Sequence, residues 1–172
     1  VLRERRTTPP PAAPSILSVS SNEPRKNLKV LPKVMEILGE KFDLVRVGPS
    51  IAGSIAFSGV PGPVLNALYS ACDVFLFPSL EEGLGLPVAE AMTCGLPVVA
   101  SDIEVMREVT GGAAILANPT SAERLASGVM QALADPAGLS RKGYDHSKVF
   151  EFTRFKTALR NYLQEIRGGT AR

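Results

Sequence analysis

The chain contains no tryptophan, one histidine and two cysteines among its 172 residues. No stretch approaches the ~20 apolar residues that span a bilayer, and no secretory signal opens the chain. Cys72 and Cys94 lie too far apart for a paired metal knuckle, and we expect both to be small buried hydrophobes. A formal net charge of +2 at pH 7 implies no nucleic-acid partner. These absences predict a cytoplasmic protein, and they leave open a peripheral position at the inner face of a membrane.

Several nucleotide- and metal-binding motifs are also missing. No G-x-x-x-x-G-K-[ST] phosphate loop occurs, and Val88 stands where a dinucleotide fingerprint requires a third glycine after Gly83 and Gly85. No two aspartates are spaced i, i+2, so a common acidic metal clamp is absent and we expect no bound metal. The single histidine, His146, is predicted to be a surface or packing residue, which disfavours histidine-dependent hydrolase mechanisms.

Short apolar strands alternate with helical patterns from Ser15 onward. Strands are predicted at 15–19, 43–47, 55–59, 73–79, 97–101 and 113–116, and helices at 27–38, 63–71, 87–94, 104–109, 121–134 and 152–166. Asn27 and Ser121 are predicted helix caps, and Pro32 predicts that the first helix is kinked or begins late. This alternation is typical of an α/β protein with a Rossmann-like, doubly wound parallel sheet.

The predicted domain occupies residues 15–167. Residues 1–14 combine a charged start with the proline-rich run TTPPPAAP, which indicates a linker from an upstream domain or a disordered tail. Residues 168–172 are predicted to be a C-terminal tail.

The connection between the second and third predicted strands is unusually short. Only the seven residues GPSIAGS separate Val47 from Ile55, whereas a parallel crossover needs about ten to twelve residues and usually a helix. Either the two strands are not both present, or a helical segment is missing from the chain. We favour the second interpretation.

The run EEGLGLPVAEAMTCGLPVVAS, residues 81–101, places Glu82 and Glu90 on either side of a Gly-Leu-Gly-Leu-Pro turn that opens a helix. Backbone amides of residues 83–88 at a helix N-terminus favour a phosphate, and Glu90 could accept two hydrogen bonds from a ribose. Glu82 could meet a sugar, so a nucleotide sugar would fit. The alternative is that Glu90 caps its helix while Glu81 and Glu82 are solvated.

Two further loops follow strands of the predicted sheet. In SSNEPRKN, residues 20–27, Arg25 and Lys26 lie at a predicted helix start, where the macrodipole opposes cations. An anionic ligand would explain them, and two solvated surface bases are the alternative. In FSGVPG, residues 57–62, exposed backbone around Val60 could pair with the edge of a base.

With these loops, residues 15 to about 166 resemble the C-terminal, donor-binding half of a retaining glycosyltransferase of the GT-B fold, in the large family 4 group. Three segments carry the resemblance: EPRKN at 23–27, GV…LNALYSACDVFLFPSLEEG at 59–83, and EGLGLPVAEAMTCGLPVVAS at 82–101. The last segment contains the family's Glu-x7-Glu motif. The resemblance implies transfer of a sugar from a nucleotide-sugar donor, without a metal or another cofactor.

The resemblance also implies roles for individual residues. Lys26, with Arg25, is expected to neutralise the donor diphosphate, and Glu82 to hold the donor sugar, so these three take part in catalysis. Glu90 is expected to hold the nucleotide ribose. The remaining implied donor-binding residues are Gly83, Leu84, Gly85, Leu86, Val60 and Ser21.

The chain departs from the family in two respects. Ser20 and Ser21 stand where relatives often have Gly-Arg or Gly-Thr, which puts donor affinity in doubt. The family's acceptor site lies mainly on a separate N-terminal Rossmann domain, so we expect the chain to need that partner and to be inactive alone. A GT-B epimerase or phosphorylase half, or a non-catalytic nucleotide-binding module, are the alternatives.

Overall fold

The computed structural model describes residues 13–150 and three further helical positions, Thr157, Arg160 and Gln164. The predicted C-terminal tail, most of the predicted linker and most of the helix predicted at 152–166 lie outside the described residues. All three isolated positions are exposed. The predicted domain boundaries stay a prediction.

Six parallel strands form a single sheet, as the sequence predicts. Their bounds are β1 Ser15–Val19, β2 Asp43–Val47, β3 Ser54–Phe57, β4 Val74–Phe77, β5 Val98–Ser101 and β6 Ile115–Ala117. The spatial order is β3-β2-β1-β4-β5-β6, and every neighbouring pair is parallel. From β1 the chain adds strands first on one side, β2 and β3, and then on the other, β4 to β6, so the strand order reverses between β1 and β4. Ligands of open α/β sheets bind beside such a reversal, at the carboxyl ends of the strands.

Within residues 13–150, six α-helices cover the two faces of the sheet. Their bounds are α1 Leu31–Leu38, α2 Gly62–Ala71, α3 Leu86–Thr93, α4 Glu104–Thr110, α5 Ala122–Ala134 and α6 Pro136–Ser147. Alternation along β1 sends Ile16 into the core beneath α1 and α5, and Leu17 into the core beneath α2, α3 and α4. Because both faces are buried along β1, β4 and β5, these strands read as nearly continuous apolar runs.

The helix starts follow local chemistry. Helix α1 begins at Leu31, later than Asn27, because Pro32 is tolerated only in a first turn. The Ser121 hydroxyl caps α5 by accepting a bond from the Arg124 amide at 3.2 Å, as predicted. Helix α6 was not predicted, because its sequence has two glycines and little apolar periodicity. Its signal is the cap itself, in which Asp135 accepts the Gly138 amide at 2.9 Å just before a first-turn proline.

Strands β2 and β3 are both present, so the alternative that one of them is absent is wrong. They pair in parallel with Val45 opposite Ile55 and Val47 opposite Phe57. The six residues 48–53 connect them without a helix, and six extended residues can span roughly 20 Å, enough to return along one short strand. That a crossover helix is missing from this position stays a prediction. The short connection leaves edge strand β3 with Ile55 and Phe57 exposed.

Candidate functional site

Hydrogen bonds join the loops that follow β1 and β4, the two strands between which the strand order reverses. The Leu80 amide donates to the Arg25 carbonyl at 2.7 Å. The Asn27 side-chain amide donates to the carbonyls of Pro78 at 3.0 Å and Pro119 at 2.8 Å. Asn27 has a left-handed backbone and makes no side-chain cap bond, so its predicted role as a helix cap is wrong. Its side chain fixes the position of the EPRKN segment instead.

Glu82 lies between two cations from the opposite loop. Lys26 Nζ is 2.6 Å from Glu82 Oε1, and Arg25 Nη1 is 3.3 Å from Glu82 Oε2. The side chains of Glu82 and Lys26 are only 6% and 11% exposed, so the alternative of a solvated Glu82 is wrong. The Lys26 ammonium also lies 5.6 Å from the centroid of the Phe77 ring, an arrangement that favours a cation. Residues 56 positions apart in sequence therefore form one charged cluster.

Arg25 also pairs with a carboxylate of its own loop. Its Nε donates to Glu23 Oε2 at 2.7 Å, and the Ser21 hydroxyl donates to Glu23 Oε1 at 2.6 Å. These two bonds, the Ser21 bond first, hold the pKa of the exposed Glu23 carboxyl below its ordinary value. Arg25 and Lys26 belong to the short 3-10 turn Pro24–Lys26, so they do not open a helix as predicted, and their pairing with glutamates explains them without a macrodipole argument.

The Gly-Leu-Gly-Leu-Pro turn opens α3 through one glycine. Gly85 caps the helix with φ +69°, and a Cβ at this position would collide with the terminal methyl of Met106. Gly83 has open space around it and adopts no positive φ. Pro87 has no N–H, and the Val88 amide bonds the Gly85 carbonyl at 2.9 Å.

The amides that could meet a ligand are accordingly those of the turn itself, residues 83–86, which are among the donor-binding residues that the resemblance implies. Leu84 and Leu86 present large apolar side chains to solvent and are 57% and 59% exposed. These two side chains place exposed apolar surface close in sequence to Glu82.

Glu90 does not cap α3, so that alternative is wrong. Its Oε2 accepts a hydrogen bond from the Tyr69 hydroxyl at 2.8 Å. Burial, and then the bond to Glu90, raises the pKa of Tyr69 far above its ordinary value, so the phenol stays a donor. The Glu90 carboxylate keeps acceptor capacity for hydroxyl groups. Tyr69 was not predicted as a site residue. The sequence indicates it only through its hydroxyl group, which is a polar group within the largely apolar helix α2.

An open cleft of about 550 Å³ lies at the carboxyl ends of β1, β2 and β3. It is lined by Val19, Ser20, Ser21, Glu23, Lys26, Val47, Gly48, Pro49, Ser58, Gly59 and Pro87. Of the predicted site residues the cleft wall contains Ser21 and Lys26. Val60 follows directly after the lining residue Gly59, whereas Glu82 and Glu90 lie outside the wall. Lys26 thus joins the cleft to the Glu82 cluster.

The described residues contain no group of three or more histidine, cysteine, aspartate or glutamate side chains placed to hold a metal ion. Within the same residues, no helix is long and apolar enough to cross a membrane. His146 is a packing residue, as predicted: its Nε2 lies 3.1 Å from the Val109 carbonyl, away from the cleft.

Comparison with known proteins adds sequence relatives. A family model described as "Glycosyl transferases group 1" matches residues 13–135. The O-antigen chain mannosyltransferase B of Escherichia coli is 33% identical over 140 residues, which cover 69% of this chain and 36% of that protein. The sulfoquinovosyl transferase SQD2 of Arabidopsis thaliana is 36% identical over 110 residues, covering 58% of this chain and 22% of that protein.

Solved structures show the same fold. A sucrose-phosphate synthase from Thermosynechococcus elongatus superposes with a TM-score of 0.79 at 24% identity, covering 92% of this chain and 47% of that one. A trehalose 6-phosphate synthase from Burkholderia multivorans also gives 0.79, at 12% identity, covering 93% and 44%. The chain spans about a third of the O-antigen relative and just under half of these structures. It has the fold of one half of a GT-B glycosyltransferase, as the resemblance predicts.

Proposed function

We propose that this chain, which belongs to the glycosyl transferases group 1 family, supplies the donor-binding half of a retaining glycosyltransferase that uses a nucleotide-sugar donor. The observation that carries the proposal is the 2.6 Å contact between Lys26 and Glu82. These residues lie on the loops after β1 and β4, where the strand order reverses. The contact joins a cation suited to a diphosphate and a carboxylate suited to sugar hydroxyls at the position where α/β sheets bind ligands.

In this proposal the diphosphate enters the cleft beside Ser21 and competes with Glu82 for Lys26. Lys26 and Arg25 then stabilise the negative charge that develops on the leaving diphosphate, and no bound metal takes part. Glu82, released from part of its ion pairing, accepts hydroxyl bonds from the donor sugar. The amides of Gly83–Leu86 support the distal phosphate.

The nucleoside occupies the other parts of the site. Glu90, oriented by the Tyr69 hydroxyl at 2.8 Å, holds the ribose hydroxyls. Backbone near Val60, next to the cleft, contacts the base. Backbone contacts of this kind leave the identity of the base open. Several sequence relatives are named mannosyltransferases, so a mannosyl donor is the first to test, and the acceptor is unknown.

Calorimetric titration of the chain with UDP, GDP and ADP tests the proposal. We expect one of them to bind and Glu90→Ala to weaken binding, because each lost hydrogen bond to a charged group is worth about 1.5–3 kcal/mol. Lys26→Ala should weaken it at least tenfold, because it removes a charge-assisted contact and leaves Glu82 repelling the phosphate.

Two exposed residues provide matched controls. Lys29→Ala removes a cation three positions from Lys26, and Glu40→Ala removes a carboxylate that lies after α1, and both should bind like the unaltered chain. Absence of binding by all three nucleotides would overturn the proposal, as would equal affinities in the site and control variants. Binding without transfer in a full-length enzyme would favour the non-catalytic module.

A further inference from the structure

Arg46 is a fully buried arginine in the middle of an apolar strand. It lies in β2, is 0% exposed and follows the core residues Leu44 and Val45. Its Nη1 donates to the Ser18 carbonyl, the Ser18 hydroxyl and the Ser20 hydroxyl at 3.1–3.3 Å, and its Nη2 donates to the Ser20 carbonyl at 3.1 Å. All four acceptors are neutral, so they satisfy the donors without balancing the charge.

Within the part of the chain that the structure describes, Arg46 forms no salt bridge, and its Nε has no hydrogen-bond partner. Burial lowers the pKa of its guanidinium, but arginine stays protonated in proteins. An unpaired buried charge is unfavourable. A positive charge kept at this position calls for an anion, and residues 13–150 do not supply one.

Only the cleft wall separates Arg46 from the cleft. Ser20 and Gly48 both line the cleft, and the hydroxyl and carbonyl of Ser20 accept hydrogen bonds from the guanidinium. Gly48 has φ +129°, and a Cβ there would overlap the Ser20 carbonyl and lie 3.1 Å from Arg46 Nη2. The glycine thus lets the backbone of two loops close over the guanidinium with no side chain in between.

The charges around the cleft do not cancel. The connected groups include three cations, Arg25, Lys26 and Arg46, and two carboxylates, Glu23 and Glu82. The two carboxylates pair with Arg25 and Lys26, so the uncompensated positive charge belongs to Arg46. It lies behind the Ser20–Ser21 loop that forms part of the cleft wall.

We propose that Arg46 is a positioning residue for the phosphate groups of the nucleotide, holding the Ser20 loop in place and supplying from behind the cleft wall a charge that the bound diphosphate balances. This inference rests on the proposed function, because it needs a nucleoside diphosphate in the cleft.

A purely structural role would use the same hydrogen bonds, and ligands of graded charge separate the two roles. The test compares the nucleoside, 5′-monophosphate and 5′-diphosphate of whichever base, uracil, guanine or adenine, binds most tightly. Arg46→Met should weaken the diphosphate roughly tenfold, as expected for one charge acting across the wall, the monophosphate less, and the nucleoside by under about twofold.

Two variants control this comparison. Arg46→Lys keeps a buried cation and should retain most of the preference for the diphosphate over the nucleoside. Arg141→Met makes the same replacement on the exposed surface of α6 and should leave all three affinities unchanged. Urea unfolding of each variant establishes that the affinities refer to folded protein.

One measurement needs no charge-removing variant. In the unaltered chain, the ¹⁵N NMR signal of the Arg46 Nε–H, assigned by its loss in Arg46→Lys, should shift on adding the diphosphate and not on adding the nucleoside. Equal weakening of all three ligands by Arg46→Met, or an Nε–H signal indifferent to the diphosphate, would overturn the inference alone. Failure of every nucleotide to bind the unaltered chain would overturn the proposed function with it.

Discussion

Cys72 ends α2 with its thiol partly buried, and burial raises its pKa to about 11 from an ordinary 9.0. A hydrogen bond with Ser15 acts in the opposite direction and is outweighed. Cys94, at the end of α3, has its pKa raised by burial as well. Both thiols are held in the neutral form at physiological pH, as expected of small apolar residues, but both are half-buried rather than buried as predicted.

We expect Cys72 to react slowly with a chromogenic disulfide reagent in the Cys94→Ala variant. Because only the thiolate reacts, the rate should rise about tenfold per pH unit from pH 8 to 10 and level off only near pH 11. The folded pKa is the raised one, so the stabilisation from the neutral thiol is complete below pH 9 and is lost between pH 9 and 11. A rate that levels off near pH 9 would contradict this assignment. Circular dichroism at each pH controls for unfolding.

At the same scale, sequence reasoning identified Lys26, Arg25 and Glu82 but not the contact among them. Spacing places residues at the ends of parallel strands, and those ends meet at one edge of a sheet. It does not reveal which side chains pair, because that depends on rotamers and on the distance between two loops 56 residues apart. Arg46 was missed for a related reason: inside the run DLVRV, nothing in the pattern distinguishes a buried arginine from an exposed one.

Among the elements, the start of α3 shows most directly how a local conformation supports the site. Gly85 combines a left-handed backbone with close contact to Met106, whereas Gly83, two residues earlier, has neither constraint. Replacement by alanine should therefore destabilise the fold at Gly85 and not at Gly83. The left-handed conformation costs most non-glycine residues about 1–2 kcal/mol, and a displaced core methionine adds to this.

Gly85→Ala should lower the free energy of unfolding by about 1–3 kcal/mol. Gly83→Ala is the matched control and should stay within about 0.5 kcal/mol of the unaltered chain. Urea denaturation followed by circular dichroism measures both, with the slope compared to confirm that the same surface is exposed. Similar losses in the two variants would show that the turn does not depend on the conformation of Gly85.

Strong apolar runs predicted every strand of the sheet, because a parallel sheet covered on both faces leaves little room for other patterns. The elements that the sequence did not predict are those that depend on a few individual contacts. Helix α6 depends on its Asp135 cap and on packing of Gly143 against Met92, which periodicity does not report. The β2–β3 connection is shorter than the usual parallel crossover, because the usual length includes a helix. Six extended residues can return the chain to the start of β3 without one.

At the scale of the whole molecule, the site is open on one side. The Glu82 cluster and the exposed Leu84 and Leu86 lie at the edge of the sheet, and the 550 Å³ cleft opens to solvent beside them. Electrostatic stabilisation of a leaving diphosphate is strongest where water is excluded, which this half of the fold does not provide by itself. Binding and transfer should therefore separate in this chain.

We expect the chain alone to bind a nucleoside diphosphate and to transfer no sugar. The measurement is incubation with radiolabelled mannosyl and glucosyl nucleotide donors and mannose-terminated acceptors, with chromatography of transferred and hydrolysed sugar. Neither product should exceed the level in a Glu82→Ala control. Transfer that depends on Glu82 would show instead that the residues on this side of the cleft, Lys26 and Arg25 among them, are sufficient for the chemistry. In that case exclusion of water by a second domain would not be required.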